Sequence, residues 1–299
     1  MSPAQLRVRE RTLSWTRPLL MGVVNANPDS FSDPGPRTVE AVVARAVQVV
    51  AEGAAMVDVG GQSAITGRPP ADAGAEASAV VPVVEAVLDA CPGVPVSVDT
   101  FKPDVAAAAL AAGAHLINDV SGLRDRALAR HCAAYGAGLV VMHTAAPPLI
   151  RLQDPRRYEP GRVADEVAAF LRNRVAVALE EGLAPESVVV DPGVDFTKTP
   201  SQTIELLRDL QPIVALGHPV LLALSRKDFV GALTRRPPSG RLAGTLGAVA
   251  GVHQVPGLIL RVHDVAAVRD VLLVLDALTG HDPLDRDLVL PDELRHEPG

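Results

Sequence analysis

Polar side chains that can recognise a flat heterocycle follow several short apolar runs of this sequence. Asp99, Asn118 and Asp191 each end a run rich in Val, Ile or Leu, and they offer carboxylate and amide edges. Such edges accept hydrogen bonds from amino and ring N–H groups, as they do with nucleic-acid bases. Lys227, one of three lysines in the chain, adds a compact positive charge. These residues predict a site for a ring that carries N–H donors.

A second set of residues suits an anion. Arg261 and His263 leave the last apolar run together, and Asn25 ends the first. Guanidinium groups bind phosphate oxygens strongly, and a buried arginine without a partner is costly, so Arg261 predicts an anionic ligand. A ring-bearing phosphate ester or pyrophosphate is therefore the expected ligand class.

The elements that must position these residues form a repeated pattern. Eight apolar, β-branched runs alternate with segments of helical periodicity, which indicates βα units and a parallel sheet. Glycines at positions 53, 113, 136 and 182 stand where helices should end. Eight units predict an α/β fold, a single-domain (β/α)8 TIM barrel. The predicted strands are 19–24, 56–59, 96–98, 116–117, 139–142, 188–190, 220–224 and 258–262, and predicted helices include 39–52, 104–112, 163–181, 203–210 and 265–278.

The composition of the sequence argues against a nucleic-acid-binding protein and against a membrane-spanning one. The 299 residues are 48% hydrophobic with a formal net charge of −7, and no basic strip indicates a nucleic-acid partner. No run of the sequence is long and apolar enough to predict a membrane span. Cys91 and Cys132 lack metal-ligand spacing, which favours a reduced, cytoplasmic protein. Residues 1–18 are predicted to be an N-terminal extension that caps the barrel, 19–280 the barrel itself and 281–299 a flexible C-terminal tail.

Polar residues lie at or directly after the ends of all eight predicted strands, and in this fold the chemistry lies at the C-terminal ends of the strands. This ring of polar residues predicts an active site. Asp58 is predicted to orient the following loop through backbone hydrogen bonds, His143 to be a structural hydrogen-bonding histidine, and Lys198 to be solvated or to contact a helix start. The strand ends carry Asn25, Asp58, Asp99, Asn118 with Asp119, His143, Asp191, Ser225 to Lys227, and Arg261 with His263 and Asp264.

Seven ordered motifs resemble those of dihydropteroate synthases, from Leu19 to Leu278. The first runs from Met21 through Asn25 and Phe31 to Asp33. The others are Asp58-Val-Gly60-Gly61-Gln62-Ser63, Ser97-Val-Asp99-Thr100, Ile117-Asn118-Asp119-Val-Ser121-Gly122, Asp191-Pro192-Gly193 with Phe196 and Lys198, Ser225-Arg226-Lys227, and Arg261-Val262-His263-Asp264.

The resemblance implies an Mg²⁺-dependent condensation of 6-hydroxymethyl-7,8-dihydropterin pyrophosphate with p-aminobenzoate, carried out by a homodimer. By matching positions, the implied catalytic residues are Asp99, Lys227, Arg261 and His263. The implied pterin site comprises Asp99, Asn118, Asp191 and Lys227, with Met142 and Phe196 against the ring. The implied diphosphate site comprises Asn25, Arg261 and His263, with Asn25 at the metal, and the implied aminobenzoate pocket comprises Phe31, Ala64, Ile65, Thr66 and Asp228.

The sequence departs from the family pattern mainly on the aminobenzoate side. Gln62-Ser-Ala64-Ile65-Thr66-Gly67 replaces the usual Glu-Ser-Thr-Arg-Pro-Gly, and Asp195 and Thr197 stand where glycines are usual. Asp228 stands where the family usually has a serine that receives the aminobenzoate carboxylate. It predicts charge repulsion there, helix N-capping, or both.

Two alternatives to an active synthase therefore remain. One is a pterin-binding paralogue of dihydropteroate synthase with weak or no activity. The other, which has less support from the motifs, is a pterin-dependent methyltransferase on the same fold.

Overall fold

The computed structural model describes residues 3–26, 38–62, 71–150, 152–280, 285 and 287–295. Within them, eight parallel strands close into a barrel, which confirms the predicted fold. The order around the barrel follows the chain, and β10 closes against β3. The barrel strands are β3 (Leu19–Asn25), β4 (Met56–Gly60), β5 (Val96–Asp99), β6 (Leu116–Asp119), β7 (Gly138–Met142), β8 (Val188–Asp191), β9 (Val220–Ala223) and β10 (Leu258–Val262).

Helices surround the barrel and connect its strands. The predicted helix ends at Gly53, Gly113, Gly136 and Gly182 are confirmed by positive φ angles, which glycine adopts at little cost. The helix predicted at 203–210 instead spans Pro200–Arg208, because Thr199 and Gln202 form a capping box ahead of it. The helices are α1 (Val39–Ala51), α2 (Ala73–Ala90), α3 (Pro103–Ala111), α4 (Ala127–Ala134), α5 (Val163–Glu180), α6 (Pro200–Arg208), α7 (Gln211–Val214), α8 (Asp228–Thr234), α9 (Leu242–Val252) and α10 (Val265–Thr279).

The hydrophobic core has two layers. The larger layer lies between the strands and the surrounding helices, and the smaller one fills the barrel interior. An antiparallel hairpin, β1 (Ala4–Val8) with β2 (Arg11–Trp15), contributes Leu6 and Val8 to the inner layer. The barrel is therefore filled by side chains, and ligands must bind at its ends. In the part of the chain that the structure describes, no helix combines the length and apolarity needed to cross a bilayer.

Candidate active site

The strand register brings the predicted ring-binding residues to one end of the barrel. Asp99 on β5 lies opposite Asn118 on β6, and Met142 on β7 lies opposite Asp191 on β8. Because all eight strands are parallel, these residues share the C-terminal mouth. Backbone hydrogen bonds between the strands on which these residues lie fix the arrangement.

Arg261 is the electrostatic centre of the mouth. Its Nε atom donates to Oδ2 of Asp58 at 2.6 Å, and its Nη2 atom donates to Oδ2 of Asp99 at 2.8 Å. Burial opposes the positive charge, but the two carboxylates outweigh it and raise the pKa of Arg261 above its ordinary value. The premise that Arg261 lacks a protein partner is therefore wrong. A guanidinium has five N–H donors, and those not bonded to the two carboxylates can still reach an anion.

Asp58 organises the side chains around it. It is fully buried, accepts from Ser97 Oγ at 2.5 Å, and accepts from Asn118 Nδ2 at 3.2 Å. Among the described residues, the Asp58 carboxylate bonds the side chains of Arg261, Ser97 and Asn118. Most of the loop that Asp58 is predicted to orient lies outside the described residues, so that role stays a prediction. Asp58 thus sets the direction of both the guanidinium and the amide.

Asn118 presents an unsatisfied acceptor. Its side chain is buried, its Nδ2 atom is held by Asp58, and its Oδ1 atom has no hydrogen-bond partner among the described residues. A buried polar atom without a partner is costly, so an N–H donor from a ligand is the expected occupant. Beside it, burial raises the pKa of Asp99 to about 7 although Arg261 opposes that shift.

Asp191, Phe196 and Lys227 form the opposite wall. The Asp191 carboxylate accepts from the Gly193 amide at 2.7 Å, and burial raises its pKa. The Lys227 ammonium lies 4.6 Å from the centroid of the Phe196 ring, a cation–π distance, and burial lowers its pKa. One face of Phe196 is therefore occupied by Lys227 in this structure.

The predicted anion-binding residues lie on neighbouring strands. His263 follows β10, and its Nδ1 atom is buried without a partner among the described residues. Burial lowers the pKa of His263 to about 4, with help from the charges of Arg261 and Arg226. The imidazole is therefore neutral at physiological pH. Asn25 ends β3, the strand that pairs with β10.

The aminobenzoate pocket is only partly described. Phe31, Ala64, Ile65 and Thr66 lie outside the described residues. Asp228 is the first residue of α8, and the cap position before it belongs to Lys227. Its carboxylate is 58% exposed and pairs with Arg241 Nη1 at 3.1 Å. The prediction that Asp228 caps this helix is wrong.

The first turn of α8 is instead capped by Asp195, which lies in the loop between β8 and α6. Its Oδ2 atom accepts from the backbone N–H of Phe229 at 3.2 Å, and its Oδ1 atom accepts from Thr203 Oγ1 at 3.0 Å. Asp195 has a φ of 65°, in the region where glycine is ordinarily favoured. Its position at a usual glycine was visible in the sequence, but its contact with α8 was not.

Lys102 is a second residue whose role the sequence did not reveal. Its ammonium contacts Glu76 Oε2 at 2.5 Å, Gln62 Oε1 at 2.8 Å and the carbonyl of Ala71 at 2.6 Å. Glu76 in turn accepts from Thr100, which follows Asp99 in the chain. Lys102 therefore connects residues 62 and 71 to the strand end that carries Asp99.

Lys198 is fully buried, so the prediction of a solvated lysine is wrong. Its Nζ atom lies 2.9 Å from Nδ1 of His143. His143 is buried as well and approaches the Tyr158 hydroxyl at 3.5 Å, so its predicted role as a structural hydrogen-bonding histidine is confirmed.

Comparison with known proteins identifies the family. The family model for pterin binding enzymes matches residues 21–263. Dihydropteroate synthase of Mycobacterium leprae is 42% identical over 269 residues, which cover 86% of this chain and 92% of that protein. The chain belongs to the dihydropteroate synthase family. The crystal structure of Xanthomonas albilineans dihydropteroate synthase with 4-aminobenzoic acid superposes with a TM-score of 0.83 at 40% identity, covering 92% of this chain and 99% of that one.

The dihydropteroate synthase family also contains relatives named as inactive. A Mycobacterium tuberculosis protein named "Inactive dihydropteroate synthase 2" is 40% identical over 282 residues, which cover 92% of this chain and 87% of that protein. Similarity of this degree therefore extends to family members of both kinds. The chemistry of the site is therefore the basis for distinguishing an active synthase from an inactive relative.

Proposed function

We propose that this chain binds 6-hydroxymethyl-7,8-dihydropterin pyrophosphate at the barrel mouth and condenses it with p-aminobenzoate to give dihydropteroate and pyrophosphate. The Oδ1 atom of Asn118, unpartnered among the described residues, carries this proposal, because a buried acceptor opposite Asp99 suits the amino and ring N–H groups of a pterin. Asp99, Asp191 and Lys227 complete the ring site, with Phe196 and Met142 against the ring.

The diphosphate tail is assigned to the other side of the mouth. Arg261 retains donors beyond those bonded to Asp58 and Asp99, and His263 has an unpartnered Nδ1 atom among the described residues. Asn25 joins them from β3. Positioned cations and donors stabilise the charge that develops on a leaving pyrophosphate. The C–O bond to pyrophosphate breaks, the arylamine nitrogen forms the new C–N bond, and its proton is lost to solvent or pyrophosphate.

Mg²⁺ is the proposed cofactor. The amide oxygen of Asn25 is a ligand type that Mg²⁺ accepts, and this ion commonly keeps several waters and takes other oxygens from substrate phosphates. When bound, it would neutralise charge on the pyrophosphate. Among the described residues, no group of three His, Cys, Asp or Glu side chains is arranged as a metal site, and Asn25 is the protein ligand that we propose.

A second candidate is a pterin-binding protein with little condensing activity. Asp228 places a carboxylate near the position assigned to the aminobenzoate carboxylate, and Asp195 already occupies an N–H group in the first turn of α8. Both would oppose a second anion. The relative named as inactive favours the same interpretation.

One assay separates the two candidates. Purified protein is incubated with dihydropterin pyrophosphate and Mg²⁺, with and without p-aminobenzoate, and both pyrophosphate and dihydropteroate are measured. Binding of the pterin substrate is measured in parallel by calorimetry. Dihydropteroate formed at sustained turnover supports the synthase. Tight pterin binding without product supports the second candidate, and absence of pterin binding overturns both.

A homodimer is also proposed. Leu273, Val274 and Leu278 are exposed on α10, next to an apolar groove lined by Leu246 on α9 and Val271. A largely apolar surface of this kind, with Asp270 as the charged residue of the groove, is typical of a protein interface, and a second copy of the chain would cover it. A monomeric mass in analytical ultracentrifugation at micromolar concentration would contradict this proposal.

A cytoplasmic location is proposed on the chemistry of the cysteines. Cys91 and Cys132 are both free and buried, which suits a reducing compartment. Fractionation of the producing cells, followed by detection of the protein, tests the location.

A further inference from the structure

Lys198 lies at the centre of a tightly wound segment, Asp191 to Lys198. Its Nζ atom contacts the carbonyl oxygens of Pro192 at 2.8 Å, Gly193 at 2.9 Å and Phe196 at 3.2 Å. The Nδ1 atom of His143 is a fourth neighbour at 2.9 Å. An ammonium has three N–H donors, so the surrounding acceptors satisfy all of them away from water. The side chain thus connects three carbonyls of the segment to His143, the residue that follows β7.

The backbone of this segment is unusual. Gly193, Asp195 and Thr197 all have positive φ angles, of 69°, 65° and 52°. Each non-glycine residue in this region costs about 1 kcal/mol or more, so neighbouring contacts must hold the conformation. A Cβ atom on Gly193 would lie 2.1 Å from the carbonyl oxygen of His143, which shows how closely the segment packs against the residue that follows β7. The four contacts of Lys198 supply that restraint.

The segment also carries two groups of the proposed ring site. The Gly193 amide donates to Asp191 Oδ1 at 2.7 Å and so orients the carboxylate. The Phe196 ring, whose own carbonyl is bonded to Lys198, faces the Lys227 ammonium at 4.6 Å. Lys198 is fully buried and has no access to a ligand. Any effect that it has on ring binding must act through these neighbours.

We propose that Lys198 is a positioning residue for pterin recognition, which holds segment 191–198 so that Asp191 and the Phe196–Lys227 pair face the ring. This inference rests on the proposed function. It assigns no part to Lys198 in binding the diphosphate tail, because none of its contacts involves Arg261, His263 or Asn25.

The charges around Lys198 are consistent with a purely internal role. Burial lowers the pKa of Lys198 to about 7 and that of His143 well below its ordinary value, so the two side chains together carry at most one positive charge near neutral pH. The facing charged groups are Asp191 and Asp195, which favour the ammonium, and Lys227 and Arg157, which oppose it.

The test separates ring binding from tail binding. Wild type and Lys198→Met are titrated by calorimetry with 6-hydroxymethylpterin, which lacks the tail, and separately with inorganic pyrophosphate and Mg²⁺. Loss of the restraint should weaken ring binding by about 10- to 100-fold, the range expected when hydrogen bonds to a charged group are lost. Pyrophosphate binding should change by less than about twofold, which is within the scatter of an uncoupled site.

Matched variants guard against a general loss of stability. Leu6→Ala creates a cavity at the hairpin end of the barrel, away from the mouth, and should leave both dissociation constants unchanged. Where Lys198→Met does not fold, Lys198→Gln, which keeps an N–H₂ donor on a shorter side chain, gives the same comparison. In the Phe196→Ala background, Lys198→Met should weaken ring binding by a smaller factor than in wild type.

Equal ring affinity in wild type and Lys198→Met overturns the inference and leaves the proposed function intact. An equal loss of ring and pyrophosphate affinity also overturns it, since that result indicates a general disturbance of the mouth. Failure of the wild-type protein itself to bind 6-hydroxymethylpterin contradicts the proposed function and the inference with it.

Discussion

Arg261 Nε lies 2.6 Å from Asp58 Oδ2, and this ion pair joins the last strand of the barrel to the second. Asp58 is fully buried, whereas Arg261 also reaches Asp99 at the edge of the mouth. The pair therefore fixes the guanidinium between the ring side and the tail side of the site. Removal of this ion pair should lower the free energy of unfolding and weaken ligand binding.

Asp58→Asn should lower the free energy of unfolding by about 3 to 5 kcal/mol, because it leaves a buried guanidinium with one carboxylate in place of two. Urea denaturation measures the change. The exposed pair between Arg162 and Asp165 is the matched control, and Asp165→Asn should cost less than about 1 kcal/mol. An equal decrease in the free energy of unfolding for the two variants would show that the buried pair contributes no more to stability than the exposed pair.

Asp228→Ser should improve use of p-aminobenzoate by lowering its KM about fivefold, the factor that roughly 1 kcal/mol of repulsion represents at a largely solvated site. The KM for dihydropterin pyrophosphate should not change, and this serves as the internal control. Because Arg241 offsets the Asp228 charge, Arg241→Gln should shift the aminobenzoate KM upward. An unaltered aminobenzoate KM in Asp228→Ser would discard charge repulsion as an explanation.

His263 should make the folded state sensitive to mild acid. Its pKa is lowered from 6.5 to about 4 in the folded protein, so the neutral form is favoured there. Its contribution to stability is therefore fully present above pH 6.5 and is lost as the pH falls from 6.5 toward 4. His263→Asn should lose less stability than wild type between pH 7 and 4.5, as measured by urea unfolding. A ring titration midpoint between pH 6 and 7 in NMR spectra would contradict the lowered pKa.

Lys102→Met should destabilise the protein by about 3 to 5 kcal/mol, because the buried Glu76 carboxylate loses its cation. The amide of Ala71, which donates to Gln62 Oε1, should exchange with solvent faster. Denaturation and hydrogen-exchange measurements provide the two readouts. The double variant Lys102→Met/Glu76→Gln should recover part of the stability, and a further loss in it would contradict an ion pair as the source.

The chain's local patterns were enough to predict the barrel and the location of its mouth. Continuous apolar runs of Val and Leu predicted β7 and β8, and Gly53 and Gly113 marked helix ends, since both signals depend on neighbouring residues in the sequence. The motifs predicted which residues gather at the mouth. Lys198 was misread as solvated because burial depends on what folds over a residue, and no short pattern encodes it.

The sequence by itself determined the repeating βα units, the polar residues at or just after the strand ends and the family to which the chain belongs. Only the tertiary structure decided the partners of those residues. Arg261 bonds Asp58 and Asp99 across 203 and 162 positions of the chain, distances at which local periodicity carries no information. Barrel closure brings such residues together, and the burial that closure creates then sets their charge states and makes each unsatisfied atom significant.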